Sequence, residues 1–233
     1  MISGDRLSSG TQALQSASPR LFRNPVLDWL SRVHHFVPLL VYIPLLAALL
    51  VWPRERMPGA RLIAALAGGY LLWTLVEYLG HRLLFHYRPR SPAGRRIHFL
   101  IHGVHHDHPS DPLRLVMPPL MSLPIIAVAG AVLWCVLGFS LSMPALAGFV
   151  VGYLAYDMLH FHMHHAQPRS ALGRLLRYRH MYHHFRDDSC WFGVSAPWWD
   201  AVFGTRPAGR DIGSRKPAAC PDTSTSADEL RTR

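Results

Sequence analysis

Between Arg114 and Asp157 the chain runs for 42 residues without an acid, an arginine or a lysine. As one helix the tract would extend about 60 Å, twice the roughly 30 Å hydrocarbon core of a bilayer. Nothing in water accommodates an apolar rod of that length. The tract is therefore expected in a membrane, folded back near "GFSLSMP" at 138–144 into two spans. A third span fits the 21 residues between Arg32 and Arg54, where Pro38 and Pro44 predict a kink or irregular start. A fourth runs from Leu62 to about Gly80. Its uncharged part is only 15 residues, so the helix is expected to continue past the hydrocarbon into "HRLLFH". The fold class expected is an all-α integral membrane protein with about four transmembrane helices.

Charge supports this reading. Only 16% of the 233 residues are charged, against roughly a quarter in an ordinary soluble domain. The formal charge of +10 is mostly arginine and suits anionic headgroups; a basic nucleic-acid-binding domain would not be this apolar. Arg88, Arg90, Arg95, Arg96, Arg114, Arg169, Arg174, Arg177 and Arg179 fall in loops on one side, opposed by Arg54, Arg56 and Arg61. By the positive-inside rule the richer side, with both termini, is cytoplasmic. Residues 1–24 are expected to be a disordered tail without a signal peptide, 25–206 the membrane domain and 207–233 a flexible tail. "NPVLDWLSRV" reads as a short interfacial helix capped by Asn24, with Val26, Trp29, Leu30 and Val33 on one face. Cys135, Cys190 and Cys220 are too few and too scattered for a disulfide framework or a thiolate zinc site.

Histidine carries the chemistry. Of sixteen, ten fall in four clusters near span ends. His102, His105 and His106 in "HGVHH" stand at i, i+3 and i+4, and His180, His183 and His184 in "HMYHH" repeat the spacing. His160 and His164 are at i, i+4. On a helix those separations share one face, and an i, i+4 pair can share one metal. His81 and His86, five apart, need a helix end or a broad site. Ten imidazoles exceed one ion's coordination and suit two metals fed by four segments. A structural zinc closes with four ligands, often thiolate, whereas two irons that bind dioxygen need several ligands and open positions. His98, one turn before His102, is expected to support a ligand. His34, His35, His108, His162 and His165 lack the spacing.

The four clusters, in this order, resemble the fatty acid hydroxylase branch of the sterol desaturase and hydroxylase superfamily. The stretches concerned are "EYLGHRLLFH", "FLIHGVHHDHPSDPLRLVMPP", "YDMLHFHMHH" and "RHMYHHFRDDSCWFGVSAPWWDAVFGT". They are most similar to the fatty acid and ceramide 2-hydroxylases, and the resemblance covers roughly residues 25–206. It implies a cytosolic helical cap holding a dinuclear site of two non-haem iron ions, with zinc able to take their place. The ligands implied are His81, His86, His102, His105, His106, His160, His164, His180, His183 and His184. The implied reaction inserts one oxygen atom of O2 at C2 of a fatty acid or of the N-acyl chain of a ceramide-like lipid. Fungal and animal members carry a fused cytochrome b5 domain before the first span. About 35 residues stand there in this sequence, so a separate donor, cytochrome b5-like or ferredoxin-like, is expected to supply electrons.

Asp157 and Glu77 each precede a cluster histidine by about one turn. Each is expected to accept a proton from a ligand imidazole or to meet water at the interface, and Asp157 alternatively to bind the substrate's amide or hydroxyl. Gly68, Gly69 and Gly80 are expected to serve close helix packing. Trp191, Trp198 and Trp199 read as interfacial or core aromatics. Three alternatives remain: a carotenoid or sterol oxidase on the same scaffold, a histidine-rich metal transporter, and a zinc-stabilised scaffold. A transporter would hold its ligands near mid-membrane on broken helices, not at span ends.

Overall fold

A computed structural model describes residues 18–51 and 57–207. It contains helices α1 (Pro25–Leu30), α2 (Val37–Val51) and α3 (Gly59–Leu79), the last running into a π-helical turn, π1 (Gly80–Phe85). Then come α4 (Pro92–His98), a second π turn, π2 (Phe99–Gly103), α5 (Val104–Asp107), α6 (Pro119–His165), α7 (Ala171–Phe185) and α8 (Trp198–Val202).

Among the described residues two elements are long and apolar enough to cross a bilayer, Gly59–Phe85 and Pro119–His165. The second does not run straight. Gly138, the first residue of the expected turn, has φ 72° and ψ 171°, a conformation reserved for a residue without Cβ. It divides α6 into arm one (119–137) and arm two (139–165). The arms lie antiparallel: Gly130 faces Leu146, and Met117 meets Tyr153 and Asp157. Pro124 and Pro144 stay within the arms. Helix α2 is only 15 residues, about 22 Å; Pro38 occupies its first turn and Pro44 its interior.

Between apolar helices in lipid no hydrophobic force operates, so packing depends on small residues and polar contacts. A Cβ on Gly69 would lie 1.8 Å from the Ala145 carbonyl oxygen, and one on Gly148 1.9 Å from that of Leu66. Helix α3 and arm two thus touch backbone to backbone. Gly68 and Gly80, expected to pack likewise, have nothing within 4 Å of that position. Around the contact Trp73 meets Phe149 and Tyr153 edge-on at 5.1 and 5.2 Å, and Tyr42 meets Tyr153 at 5.1 Å. The Tyr42 hydroxyl lies 2.7 Å from Ser122 Oγ and joins α2 to arm one.

The remaining segments form a cap over the ends of α3 and arm two. Asn24 caps α1 as expected, its Oδ1 accepting from Val26 and Leu27. Val26, Trp29 and Leu30 are exposed on it, but Val33 lies beyond its end, buried, bonded through N–H to Leu113 O. The disordered tail expected to residue 24 is contradicted over 18–24, where the chain is held. Arg114, itself buried, donates to Pro19 O at 2.7 Å and to Ser31 Oγ at 2.8 Å, and Arg96 donates to Leu21 O at 2.6 Å. The rest of that tail, and the C-terminal one beyond Pro207, lie outside the described residues.

Candidate metal centre

The ten cluster histidines converge where π1, π2, α5, the end of arm two and α7 meet. They form two groups of five. His81, His86, His102, His106 and His183 make one; His105, His160, His164, His180 and His184 make the other, and within each group one ring nitrogen of each histidine lies within 4.8 Å of those of the other four. The groups are contiguous, with the rings of His106 and His184 stacked at 4.2 Å.

Local geometry explains the membership. At i, i+4, His102 and His106 share one group; His160 with His164, and His180 with His184, share the other. The i+3 position falls across the divide, so "HGVHH" gives His105 to the second group and "HMYHH" gives His183 to the first. The awkward His81–His86 spacing is resolved by π1: its i to i+5 bond runs from His86 N–H to His81 O at 3.2 Å and stacks the two residues.

Within the first group His86 Nε2 lies 3.0 Å from His183 Nε2 and 3.2 Å from both His81 and His102 Nε2, and His106 Nε2 is 3.0 Å from His102 Nε2. These contacts cannot all be hydrogen bonds. His81 Nδ1 donates to Phe192 O and His183 Nδ1 to Cys190 O, each at 2.7 Å, so both Nε2 atoms carry bare lone pairs. The single proton of His86 cannot serve three neighbours. A cation at about 2.1 Å from each nitrogen would set adjacent ligands about 3.0 Å apart, close to what is observed. In the second group both ring nitrogens of His105 and His184 are buried without partners, while His160 meets the Leu115 backbone. Such orphans are costly unless a ligand takes them. The residues fit two metal ions.

Burial keeps the rings neutral, as ligation requires. Loss of solvent, with neighbouring imidazoles adding to it, holds His86 down to about 2 and His106 to about 3. The same causes push His102, His105, His180 and His184 well below the ordinary histidine value.

The residues around the ten histidines are largely not those expected. Asp157 touches no imidazole among the described contacts: its Oδ1 accepts from Met117 N at 3.2 Å and the Tyr153 hydroxyl lies against its buried carboxylate. Glu77 accepts from Ser195 N at 2.8 Å and from its hydroxyl, joining α3 to the loop after α7. That loop supplies the carbonyls of Cys190 and Phe192. It is shaped by Asp200, whose carboxylate is fully buried and accepts from Phe192 N, Gly193 N and Thr205 Oγ1 at 2.9, 3.0 and 2.7 Å. Between the two carbonyls Trp191 is left-handed, φ 56°, with the Arg179 guanidinium 4.3 Å over its ring. Trp199 donates to Thr74 Oγ1 at 3.1 Å, while Trp198 is exposed. No spacing in the sequence marks Asp200; its one signal is its place in "FGVSAPWWDAVFGT". His98 donates to Phe85 O and so supports π1. Asp187 caps Ser189, whereas Asp188 lies 3.9 Å from His86 Nδ1 and 3.6 Å from Arg88. His35 stacks on Phe161, away from both groups.

A cavity of about 220 Å³ reaches the centre. His102 of one group and His105 and His160 of the other line it, with Tyr156 and Asp157 beside them; Leu27 and Leu30 of α1 and Met121 of arm one form part of its apolar wall.

A family model described as fatty acid hydroxylase matches residues 66–205. The dihydroceramide fatty acyl 2-hydroxylase FAH2 of Arabidopsis thaliana is 36% identical over 197 residues, covering 81% of this chain and 80% of that protein. The ceramide very long chain fatty acid hydroxylase scs7 of Schizosaccharomyces pombe is 33% identical, covering 82% of this chain and 55% of that protein. A solved structure described as full-length scs7p, with only the hydroxylase domain visible, is similar at TM-score 0.76 and 32% identity, covering 84% of this chain and 74% of that one.

Proposed function

This chain belongs to the fatty acid hydroxylase family, and from that premise we propose that it is a membrane monooxygenase acting at C2 of a fatty acid or of the N-acyl chain of a ceramide-like lipid. The observation that carries the reading is the cavity, apolar over most of its wall and lined by histidines of both groups. An acyl chain fits such a wall, and its reacting carbon would lie against the metals. Asp157, which lines the cavity beside the histidines, would take a hydrogen-bond donor of the lipid head.

All ten histidines would serve as ligands, five to each ion. Five neutral nitrogens exceed the four donors of a structural zinc and leave a position open below six, which favours iron. The bound pair supplies activation of O2 and attack on an unactivated C–H bond, chemistry beyond acid and base side chains. One oxygen atom enters the C2–H bond and the other leaves as water, with two electrons and two protons consumed. The chain's own residues hold the ligands in one tautomer through the Cys190 and Phe192 carbonyls, and exclude water with the wall of α1. Electrons would come from a separate cytochrome b5-like or ferredoxin-like protein.

The two arms, α3 and α2 would form four spans, with the cap in the cytoplasm and residues 25–206 as the catalytic domain. Helix α3 with π1, and arm two, are each about 40 Å long at 1.5 Å per residue. Each would overrun the hydrocarbon core by about 10 Å and carry its histidines out to the water side.

The test is lipid mass spectrometry of cells with and without the chain, in a host with an electron supply. A hydroxyl at acyl C2 is expected from the intact protein and from His35→Ala, and its absence from His183→Ala. An active His183→Ala would overturn the ligand assignment, and a hydroxyl on another lipid class the substrate assignment.

A further inference from the structure

A second apolar space lies deeper than the metal cavity, a groove between α3 and the two arms. Val76 of α3, Ile125, Val128, Ala129 and Val132 of arm one and Phe149 of arm two are among its walls. No side chain lining it has a nitrogen or oxygen atom.

The groove and the metal cavity are lined from the same faces of two helices, and no residue lines both. On arm one Met121 lines the cavity and Ile125, Val128 and Val132 line the groove, at i, i+4, i+7 and i+11. That spacing is a single stripe. On arm two Phe149 lines the groove and Tyr156, seven residues on, lines the cavity, with His160 one turn further. The two spaces therefore lie end to end, the upper with histidines and a carboxylate, the lower with hydrocarbon alone. From Met121 to Val132 the stripe spans about 16 Å. Val128 and Val132 are exposed, so the groove opens sideways to lipid; Ala129, partly buried against the core, is a small residue in its wall.

We propose that this groove holds the tail of the substrate's acyl chain, and that the side chains at Ala129 and Val128 set how long a chain is accepted. The proposal rests on the acyl-chain hydroxylase reading above. A chain with C2 at the metals would leave the cavity beside Met121 and lie along the stripe toward Val132. It would enter sideways from the bilayer without threading. A larger side chain at Ala129 would shorten the groove and penalise long chains alone.

Two measurements test this in the full chain in membranes. In the first, N-palmitoyl and N-lignoceroyl substrates with the same head compete. The ratio of long to short hydroxylated product should fall about tenfold in Ala129→Phe, the discrimination one or two methylenes provide in an apolar pocket. Val128→Trp, at an exposed position where misfolding is not expected, should lower it in the same direction. Leu137→Trp, exposed on the opposite face of arm one and outside the groove, should leave it unchanged. An unaltered ratio in both groove variants overturns the proposal.

The second measurement does not depend on turnover: photocrosslinking of an N-acyl amide with a diazirine in mid-chain. Adducts concentrated on residues 124–132 and around Phe149 support the groove even if no hydroxylated product forms, in which case the hydroxylase reading alone fails. Adducts spread evenly over lipid-facing positions, Leu137 included, mean that bulk lipid fills the groove, and the proposal falls.

Discussion

Asp200 contacts no histidine, yet the tautomer of two of them depends on it. Its carboxylate holds the N–H groups of Phe192 and Gly193, and so aims the carbonyls that receive His81 and His183. An asparagine there turns an N–H toward one of those donors. Asp200→Asn should weaken metal binding about 10- to 100-fold, measured as metal retained against a graded chelator, with the ten histidines intact. Unchanged retention would mean that the loop holds its shape without the carboxylate. Asp157 teaches the complementary lesson. Its spacing from His160 predicts a ligand partner, but the side chain accepts from Met117 N and faces the cavity. Sequence separation fixes which residues share a helix face, not which of two neighbouring groups a short side chain reaches.

At the scale of the element, glycines and π turns decide the outcome. Gly138 lets α6 reverse because its φ and ψ lie where a Cβ is excluded. Gly138→Ala should therefore lower stability by about 1–3 kcal/mol, read as a lower thermal midpoint in detergent. Gly68→Ala should act oppositely: its helical position has room for a Cβ, and alanine gains roughly 0.5–1 kcal/mol there. Equal effects of the two would contradict the assigned backbone. The π turns were only half legible. Five-residue spacing of His81 and His86 excludes an ideal α-helix for a shared ligand site, but the rare i to i+5 turn is one of several escapes from that constraint.

At the scale of the molecule, two consequences follow from a buried nest of neutral imidazoles at one end of a membrane bundle. His86 at about 2 and His106 at about 3 bind protons far less readily than unfolded histidine, at about 6.5. Between those values the folded chain holds fewer protons than the unfolded one, so stability is full above about pH 6.5 and declines as pH falls toward 3. Bound metal competes for the same lone pairs. Metal content and thermal midpoint should hold near neutrality and fall together below about pH 6; a flat profile to about pH 4 would contradict the burial. The second consequence is sidedness. In a cysteine-free background, Ser140→Cys, at the hairpin turn, should react with a membrane-impermeant maleimide on intact cells, and Arg88→Cys, on the cap, only after lysis. The reverse pattern would place the metals outside.

By itself the sequence determined the helical class, the fold-back of the 42-residue tract near 138–144, and the ten histidines brought together, because apolar length and helical spacing are local quantities. It also carried the family, through stretches whose order survives in one chain. Only the tertiary structure decided how the ten divide into five and five, since each division runs through "HGVHH" and "HMYHH" and depends on how α5 and α7 are rotated against one another. It alone assigned Glu77 to Ser195 and Asp200 to the loop beside the histidines, pairings between segments or across a turn that no period in the sequence encodes. Helical period reports a face; which face meets which is settled by packing, here the backbone contact of Gly69 with Ala145 that fixes α3 against arm two.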